Sequence, residues 1–244
     1  MKITNLGSSA YASFYVACEL FKQMSQQPHS KLGLATGGTM VEVYEFLVSL
    51  LQKNQLDVSG IETFNLDEYV GLSATHEQSY HRYMNDILFN RYPHFTKSLI
   101  HIPDGAAENL MEETKRYEDL INQKGPMDIQ ILGIGENGHI GFNEPGTSFD
   151  SLTSVVDLTE STIEANSRYF ETKEEVPKQA ISMGIQSILK AKRIILLAFG
   201  PKKAEAIQKL LSGEITTDLP ASALYNHPNV EIIVDNSAYS NKES

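Results

Sequence analysis

The segment GIGENGHIGFNEPG, residues 133–146, places groups that can exchange protons in a flexible stretch of chain. Five of its fourteen residues are glycines, and His139 precedes Glu144 by five positions. An imidazole can both give and take a proton near neutral pH, and a carboxylate can orient it. On a helix these two side chains would lie about 140° apart, too far to share a face. The glycines and Pro145 indicate instead an irregular loop in which the two side chains can meet.

Two other interpretations of this loop involve a metal or no chemistry at all. A zinc site is disfavoured because no cysteine lies nearby and the other histidines of the chain lie in unrelated segments. A glycine-rich connection with a solvated histidine remains open on these residues alone. Asn137, two positions before His139, can orient an imidazole by hydrogen bonding.

The second candidate site is the turn after an apolar run at 31–35, and it consists of Thr36, Gly37, Gly38 and Thr39. Glycines let backbone N–H groups approach a ligand, and a following helix N-terminus adds partial positive charge, so a phosphate group is the expected ligand. The turn lacks both the Walker lysine and the GxGxxG spacing. A tight turn with Thr39 as N-cap, leading into a helix that begins near Met40, explains the same residues equally well.

The third candidate site is the end of the apolar run IETFNL, residues 61–66, where Asp67 and Glu68 follow directly. A carboxylate whose pKa is tuned by burial can remove a proton from a carbon next to a carbonyl group. A pair of surface turn residues ahead of Gly71 is the more ordinary interpretation of this short stretch taken alone.

Short apolar runs alternate with amphipathic segments along the whole chain. The predicted strands lie at 31–35, 61–66, 98–102, 127–135, 193–200 and 230–235. The predicted helices lie near 9–26, 40–51, 106–123, 159–170, 177–190 and 201–212. Almost wholly apolar strands separated by helices predict a doubly wound, Rossmann-like α/β fold, a mostly parallel sheet with helices on both faces.

No linker, repeat or low-complexity tract divides the chain. We therefore expect a single domain over residues 1–244, with a mobile lid within 145–178. In open parallel sheets ligands bind beyond the carboxyl ends of the strands, which is where all three candidate sites lie.

The composition argues against several classes of function. A formal net charge of −11 disfavours general binding to nucleic acids or anionic membranes, which need a basic surface. The single Cys18 leaves no intramolecular disulfide and fits a reducing compartment. The N-terminus lacks a signal-peptide pattern, and no apolar run approaches the ~18 residues of a membrane span. We expect a cytoplasmic protein without nucleic-acid or membrane partners, in which a local basic pocket binds any anion.

Taken together, the motifs resemble the glucosamine-6-phosphate deaminase family over nearly the full chain. The matching segments, in order, are GLATGGT, TFNLDEYVGL, SYHRYM, LGIGENGHIGFNEPGTSFDS, EANSRYF, AISMGIQSI and NHPNVEIIVD. The resemblance implies conversion of D-glucosamine 6-phosphate and water to D-fructose 6-phosphate and ammonia, by aldose–ketose isomerisation coupled to loss of the amine. It implies neither a metal nor an organic cofactor.

The resemblance also implies a role for each proton-transfer residue. Asp67 would remove the C2 proton and return a proton to C1, and Glu68 would be structural. His139 would open the sugar ring by moving a proton between the C1 hydroxyl and the ring oxygen. Glu144 and Asn137 would orient and support the imidazole.

By the same resemblance, the 6-phosphate would bind the backbone of residues 36–39 together with Arg168 of EANSRYF and Lys203 of GPKKA. Arginine can hold a phosphate through two nitrogens, whereas lysine acts as a point charge. Alignment to the KA dipeptide alone favours Lys203 over Lys202. On spacing alone, each of these cations would be a solvated helix residue.

Two departures from the family pattern lead to predictions. Many enteric-type members have Asp in place of Asn137, and Asn can orient an imidazole but cannot stabilise its protonated form by charge. Asn137→Asp should therefore favour protonated His139 and shift the acid limb of the pH–rate profile. Allosteric members carry a basic pair where Ser154 and Val156 stand, and a longer C-terminal tail. We expect hyperbolic kinetics without activation by N-acetylglucosamine 6-phosphate.

Two other functions compete with this one. 6-Phosphogluconolactonases share the fold and a related phosphate loop, but the pairing of LDEYVG with GHIGFNEP favours the deaminase. A non-catalytic sugar-phosphate sensor of the transcriptional-regulator type would need a helix-turn-helix and a basic face, and the sequence has neither. The sequence does not decide between a monomer and a homo-oligomer.

Overall fold

A seven-stranded parallel sheet forms the centre of the computed structural model, which describes residues 1–240. Residues 241–244 of the predicted domain lie outside the described part. In sheet order the strands are β1 (Lys2–Asn5), β10 (Val230–Val234), β9 (Ile194–Ala198), β6 (Ile129–Gly133), β2 (Lys31–Leu34), β3 (Glu62–Asn65) and β5 (Ile100–His101). Every residue of β9 and β10 is buried, as expected for a sheet covered on both faces. The doubly wound α/β prediction is confirmed, although the partly exposed edge strand β1 was not predicted.

The direction of strand order reverses between β2 and β6. From β2 the chain proceeds through β3 to β5 on one side of the sheet, and from β6 it proceeds through β9 to β10 on the other. The carboxyl ends of β2 and β6 therefore flank a topological switch point, where ligands bind in such sheets. The turn at residues 36–39 follows β2 and the histidine loop, residues 133–146, follows β6, so the topology brings both to one crevice.

The helices are α1 (Ser9–Gln26), α2 (Gly38–Asn54), α3 (Tyr80–Met84), α4 (Leu110–Lys124), α5 (Glu160–Asn166), α6 (Ile185–Leu189), α7 (Ala204–Leu211) and α8 (Asn236–Tyr239). Shorter helical turns are a π-helical turn at Asn85–Phe89 and 3-10 turns at Lys97–Leu99, Ser167–Tyr169, Lys173–Glu175, Pro201–Lys203 and Pro220–Asn226. No helix within residues 1–240 is both long enough and apolar enough to cross a membrane.

The predicted start of α2 is wrong by two residues. The helix begins at Gly38 rather than near Met40, and its N-cap is Gly37 rather than Thr39. Gly37 adopts φ +101° and ψ 170°, a conformation essentially restricted to glycine. Within the described chain no side chain caps this helix, so its first N–H groups remain available to an anion.

A second, antiparallel sheet joins β4 (Asp67–Tyr69), β8 (Gln179–Ser182) and β7 (Ser154–Asp157). The predicted helix at 177–190 is wrong over its first half, because β8 occupies it and only α6 is helical. β8 pairs residue by residue with β4, a long-range contact that outweighs a short local pattern. The sheet attaches β7, which lies within 145–178, to the strand that carries Asp67.

Buried Glu118 of α4 anchors the chain where it enters β7. Its carboxylate accepts hydrogen bonds from the backbone N–H and the hydroxyl of Thr153 and from the hydroxyl of Ser187, and it lies 2.9 Å from the Lys190 ammonium. Burial alone would raise the pKa of Glu118, but these contacts outweigh burial and lower the pKa to about 2. The ionised Glu118 carboxylate therefore fixes the chain at Thr153, directly before β7.

Candidate active site

Asp67 is the first residue of β4, and only 6% of its surface is exposed. Burial raises its pKa, and the neighbouring Glu68 carboxylate adds to the effect, giving about 8. The interpretation of Asp67 and Glu68 as surface turn residues is therefore wrong. A buried carboxyl group with a raised pKa has the proton affinity that a general base requires.

Glu68 is fully buried and holds the start of α3. One of its oxygens accepts hydrogen bonds from the backbone N–H groups of Tyr69 and Tyr80. The other accepts the backbone N–H of His81 and lies 2.9 Å from His81 Nδ1. These contacts give Glu68 a structural role and keep its carboxylate next to Asp67.

Asn137 connects His139 to Glu144. Asn137 Nδ2 donates to Glu144 Oε2 at 2.7 Å, and the backbone N–H of His139 donates to Asn137 Oδ1 at 3.2 Å. Both contacts orient Oδ1 toward the imidazole, where it lies 2.8 Å from Nδ1. Because an amide oxygen only accepts, Nδ1 carries the proton in this arrangement and the lone pair lies on Nε2.

Glu144 supports the imidazole with a negative charge. Its Oε2 atom lies 3.5 Å from His139 Nδ1, and its Oε1 atom accepts the Thr159 hydroxyl at 3.0 Å and the Thr162 hydroxyl. Burial alone would raise the pKa of Glu144. Hydrogen bonds from His139, Thr162 and Asn137 and the charge of His139 outweigh burial and lower the pKa to about 2. An ionised Glu144 can stabilise positive charge on the imidazole.

The histidine loop and Asp67 meet at Gly141. This glycine has φ +57°, and a Cβ atom on it would lie 3.6 Å from Asp67 Oδ2 and 3.1 Å from Ser182 Oγ. Ser182 is the partner of Asp67 in the β4–β8 register. The chain segments after two strand ends that are far apart in sequence thus lie side by side, and they bring Asp67 next to the histidine loop. Within residues 1–240, no group of three or more His, Cys, Asp and Glu side chains could hold a metal ion.

Two tyrosine hydroxyl groups fix the turn at residues 36–39. The Tyr83 hydroxyl donates to the Gly37 carbonyl at 2.7 Å, and the Tyr44 hydroxyl donates to the Ala35 carbonyl at 2.6 Å. These bonds direct the carbonyl oxygens of Ala35 and Gly37 toward the protein. Thr39 lies half-buried in the first turn of α2.

Arg168 reaches the same turn through its neighbour Tyr169. The guanidinium group lies over the Tyr169 ring, 4.8 Å from its centroid. The Tyr169 hydroxyl lies 3.4 Å from the position that a Cβ atom on Gly38 would occupy. Arg168 is exposed, so its guanidinium group is accessible to a bound anion.

Lys203 is the more buried of two neighbouring lysines. Burial lowers its pKa, Glu136 opposes this effect, and the positive charges of Arg168 and Lys202 add to it. Lys202 is 77% exposed at its side chain and lies 3.6 Å from a Glu136 oxygen. A half-buried cation beside another cation is stabilised by an incoming anion. Burial and neighbouring positive charge therefore distinguish Lys203 from the exposed Lys202.

Sequence reasoning missed the aromatic and hydroxyl groups around the site. The Tyr80 ring lies 4.8 Å from the Tyr69 ring and stacks on Phe142, which joins β4 to the histidine loop. The spacing of Tyr80 and Tyr83 in SYHRYM indicates one helix face and offered a signal for both. No sequence pattern predicts that the threonines at the start of α5 contact Glu144.

This chain is similar to known proteins over nearly its full length. A family model described as glucosamine-6-phosphate isomerases/6-phosphogluconolactonase matches residues 8–233. The glucosamine-6-phosphate deaminase of Staphylococcus saprophyticus subsp. saprophyticus is 74% identical over 238 residues, which cover 98% of each chain. The deaminase of Staphylococcus epidermidis is 68% identical, again over 98% of each chain.

Solved structures give the same result. A monomeric glucosamine-6-phosphate deaminase superposes with a TM-score of 0.96 at 48% identity, covering 98% of both chains. The 6-phosphogluconolactonase of Thermotoga maritima superposes with a TM-score of 0.75 at 20% identity, covering 96% of this chain and 98% of that one. The second likeness shows a shared fold alone.

Proposed function

This chain belongs to the family of glucosamine-6-phosphate isomerases and 6-phosphogluconolactonases, and we propose that it is a glucosamine-6-phosphate deaminase. The reaction converts D-glucosamine 6-phosphate and water to D-fructose 6-phosphate and ammonia. The observation that carries the proposal is the meeting of Asp67 with the histidine loop at Gly141. Isomerisation needs a base at C2 and a proton-transfer group at the ring oxygen, whereas lactone hydrolysis removes no proton from carbon.

Ring opening is assigned to His139. Nε2 takes the proton of the C1 hydroxyl and delivers it to the ring oxygen, while Asn137 and Glu144 hold the imidazole through Nδ1. The charge of Glu144 stabilises the imidazolium between the two transfers. Acid–base catalysis of this kind contributes a factor of about 10²–10⁴ to the rate.

Isomerisation is assigned to Asp67. Its carboxylate removes the C2 proton of the open-chain aldehyde as the aldehyde oxygen takes up a proton, giving an enolamine, and Asp67 then returns its proton to C1. The nitrogen gives up one proton, which balances the one taken up by the oxygen, so C1 becomes a hydroxymethyl group and C2 an imine. Water hydrolyses the imine to the ketone with release of ammonia. The burial of Asp67 raises its affinity for the proton and shields the enolamine from solvent.

The 6-phosphate is assigned to the N–H groups of residues 36–39, with Arg168 and Lys203 as cationic partners. The conformation of Gly37 supports this assignment because it turns the chain into α2 without a side-chain cap from residues 1–240. The lowered pKa of Lys203 supports it as well, because a phosphate would relieve the burial and like-charge repulsion that cause the shift.

The wider setting belongs to the same proposal. We place the protein in the cytoplasm as a hydrolase of amino-sugar catabolism and N-acetylglucosamine utilisation, without nucleic-acid or membrane partners. Residues 1–244 act as one domain, and residues 145–178 close over the substrate.

A monomer is favoured because the structure at 48% identity is described as monomeric. Ser154 and Val156 supply no charge for an anionic effector, so kinetics are hyperbolic.

Parallel assays on two substrates test the proposal. One preparation is given glucosamine 6-phosphate, with ammonia measured, and 6-phosphogluconolactone, with ring hydrolysis measured. We expect ammonia release and no lactone hydrolysis above the spontaneous rate. Lactone turnover without ammonia would identify a lactonase, and phosphosugar binding without any turnover would identify a sensor.

A further inference from the structure

Glu144 is shared between the histidine loop and α5. Its Oε2 atom faces Asn137 and His139, whereas its Oε1 atom accepts the hydroxyl groups of Thr159 and Thr162. Thr162 is buried, and its hydroxyl contacts both Glu144 and the Thr159 hydroxyl at the start of α5. The Glu144 carboxylate, which faces the imidazole on one side, is therefore held on its other side by the first residues of α5.

That element runs from Glu144 to the phosphate-binding groups. Thr159 is the N-cap of α5, and its hydroxyl accepts the backbone N–H of Thr162 at 3.3 Å. The 3-10 turn at Ser167–Tyr169 follows α5 without a break and carries Arg168. The seven residues of α5 and the three of the turn span about 15 Å as one helical segment.

We propose that Thr162, supported by Thr159, is a positioning residue that makes the alignment of Glu144 and His139 depend on phosphate binding at Arg168. The inference rests on the function proposed above. Because α5 and the 3-10 turn form one continuous helical segment, a change in the position of Arg168 can be transmitted to the two hydroxyl groups at the other end. Binding energy from the phosphate, remote from the reacting carbons, then serves to orient the acid–base pair.

The Thr162 hydroxyl is the contact through which this coupling acts. A hydrogen bond to an ionised oxygen is roughly twice as strong as one between neutral groups. Without it, the Thr159 hydroxyl alone holds Oε1, so the carboxylate is oriented less firmly. Asn137, which donates to the other oxygen of this carboxylate, would then orient the imidazole less firmly as well.

Steady-state kinetics of ammonia release from glucosamine 6-phosphate test the coupling. Thr162→Val removes the hydroxyl at constant shape, and we expect kcat to fall about tenfold with KM within about twofold. Thr162→Ser keeps the hydroxyl and should restore most of kcat. Ser161→Ala is the matched control, because exposed Ser161 lies 3.0 Å from the Thr159 hydroxyl and, among residues 1–240, shares no hydrogen bond with Glu144. This control should resemble wild type.

A double-mutant cycle with Arg168→Met separates coupling from local support of Glu144. Once the phosphate no longer fixes the segment, Thr162→Val should lower kcat less than about twofold. Equal effects of Thr162→Val in both backgrounds, or a change in KM alone, would overturn the proposal. Thr162→Ala replaces the valine variant if circular dichroism shows that the latter is unfolded. Wild type is assayed first, so a failure of the deaminase assignment itself is seen independently.

Discussion

Two buried carboxyl groups at this site differ in ionisation because their surroundings differ. Burial and the charge of Glu68 raise the pKa of Asp67 to about 8, whereas hydrogen-bond donors around Glu144 overcome its burial and lower its pKa to about 2. Such a separation assigns proton transfer to the first group and permanent charge to the second. The residue types could be read from the sequence, but the separation depends on neighbours that only the fold supplies.

The Glu68 charge should contribute to the pH dependence of the reaction, in addition to the larger effect of burial on the pKa of Asp67. A general base must be ionised, so kcat/KM is expected to rise with pH through the raised pKa of Asp67. Glu68→Gln removes the like charge, lowers the pKa of Asp67 and moves this limb to lower pH. The titration of the substrate amine is the same with both proteins. A difference between the two pH profiles therefore reports a group of the enzyme. Exposed Glu77 supplies the control Glu77→Gln, and an unmoved limb in Glu68→Gln would contradict the account.

Asn137→Asp tests the support of the imidazole. In the variant, a second carboxylate stands beside His139 in place of the amide that donates to Glu144 Oε2 at 2.7 Å. The added negative charge favours the protonated imidazole, which should move its NMR titration and the acid limb of kcat to higher pH. Identical titration and rate profiles in wild type and variant would contradict this prediction.

At the scale of elements, the local hydrophobic patterns of the sequence predicted the strands and helices that depend on local burial. The strands of the parallel sheet are largely apolar because both faces are covered, and α2 shows the periodicity of one buried face. β8 could not be predicted, because its pairing with β4 joins residues more than a hundred positions apart. The contact of α5 with Glu144 is equally non-local. The sequence therefore predicted the candidate site residues but not the threonine hydroxyl groups that hold Glu144.

The turn between β2 and α2 should tolerate only glycine at position 37. A Cβ atom on Gly37 would point into open space, but the φ of +101° strains any other residue, so Gly37→Ala should cost about 1–3 kcal/mol of stability. The displaced turn should also raise KM about tenfold with little change in kcat. Gly213→Ala is the control, since Gly213 has φ +81° and similar space at the end of α7. Its melting temperature should fall while KM stays constant, and equal KM effects would contradict the prediction.

At the scale of the whole molecule, an acidic protein must bind an anionic substrate. The net charge of −11 predicts no attraction over long distances, so the proposed phosphate ligands, which are Arg168, Lys203 and the N-terminus of α2, would have to act locally. The sequence identified both cations through family resemblance only. Lys203 is more buried than Lys202. The sequence shows two adjacent lysines and cannot reveal this difference in burial.

The two lysines form a matched pair for testing phosphate binding. Lys203→Met removes a charged contact to the phosphate, worth about 1.5–3 kcal/mol, and should raise KM roughly tenfold to a hundredfold. Lys202→Met removes an exposed charge and should change KM less than about twofold. Steady-state KM for glucosamine 6-phosphate at fixed ionic strength measures both, and a larger effect from Lys202→Met would reverse the assignment.

The central claim is that this fold joins ring opening at His139 to proton removal at C2 by Asp67. Its most direct test is to incubate the purified protein with glucosamine 6-phosphate and to quantify ammonia and fructose 6-phosphate together, with folded Asp67→Asn as the background. The account predicts equal amounts of the two products, formed about 10²–10⁴-fold faster by wild type than by Asp67→Asn. Absence of both products from folded wild-type protein, or equal rates for the two proteins, would contradict it.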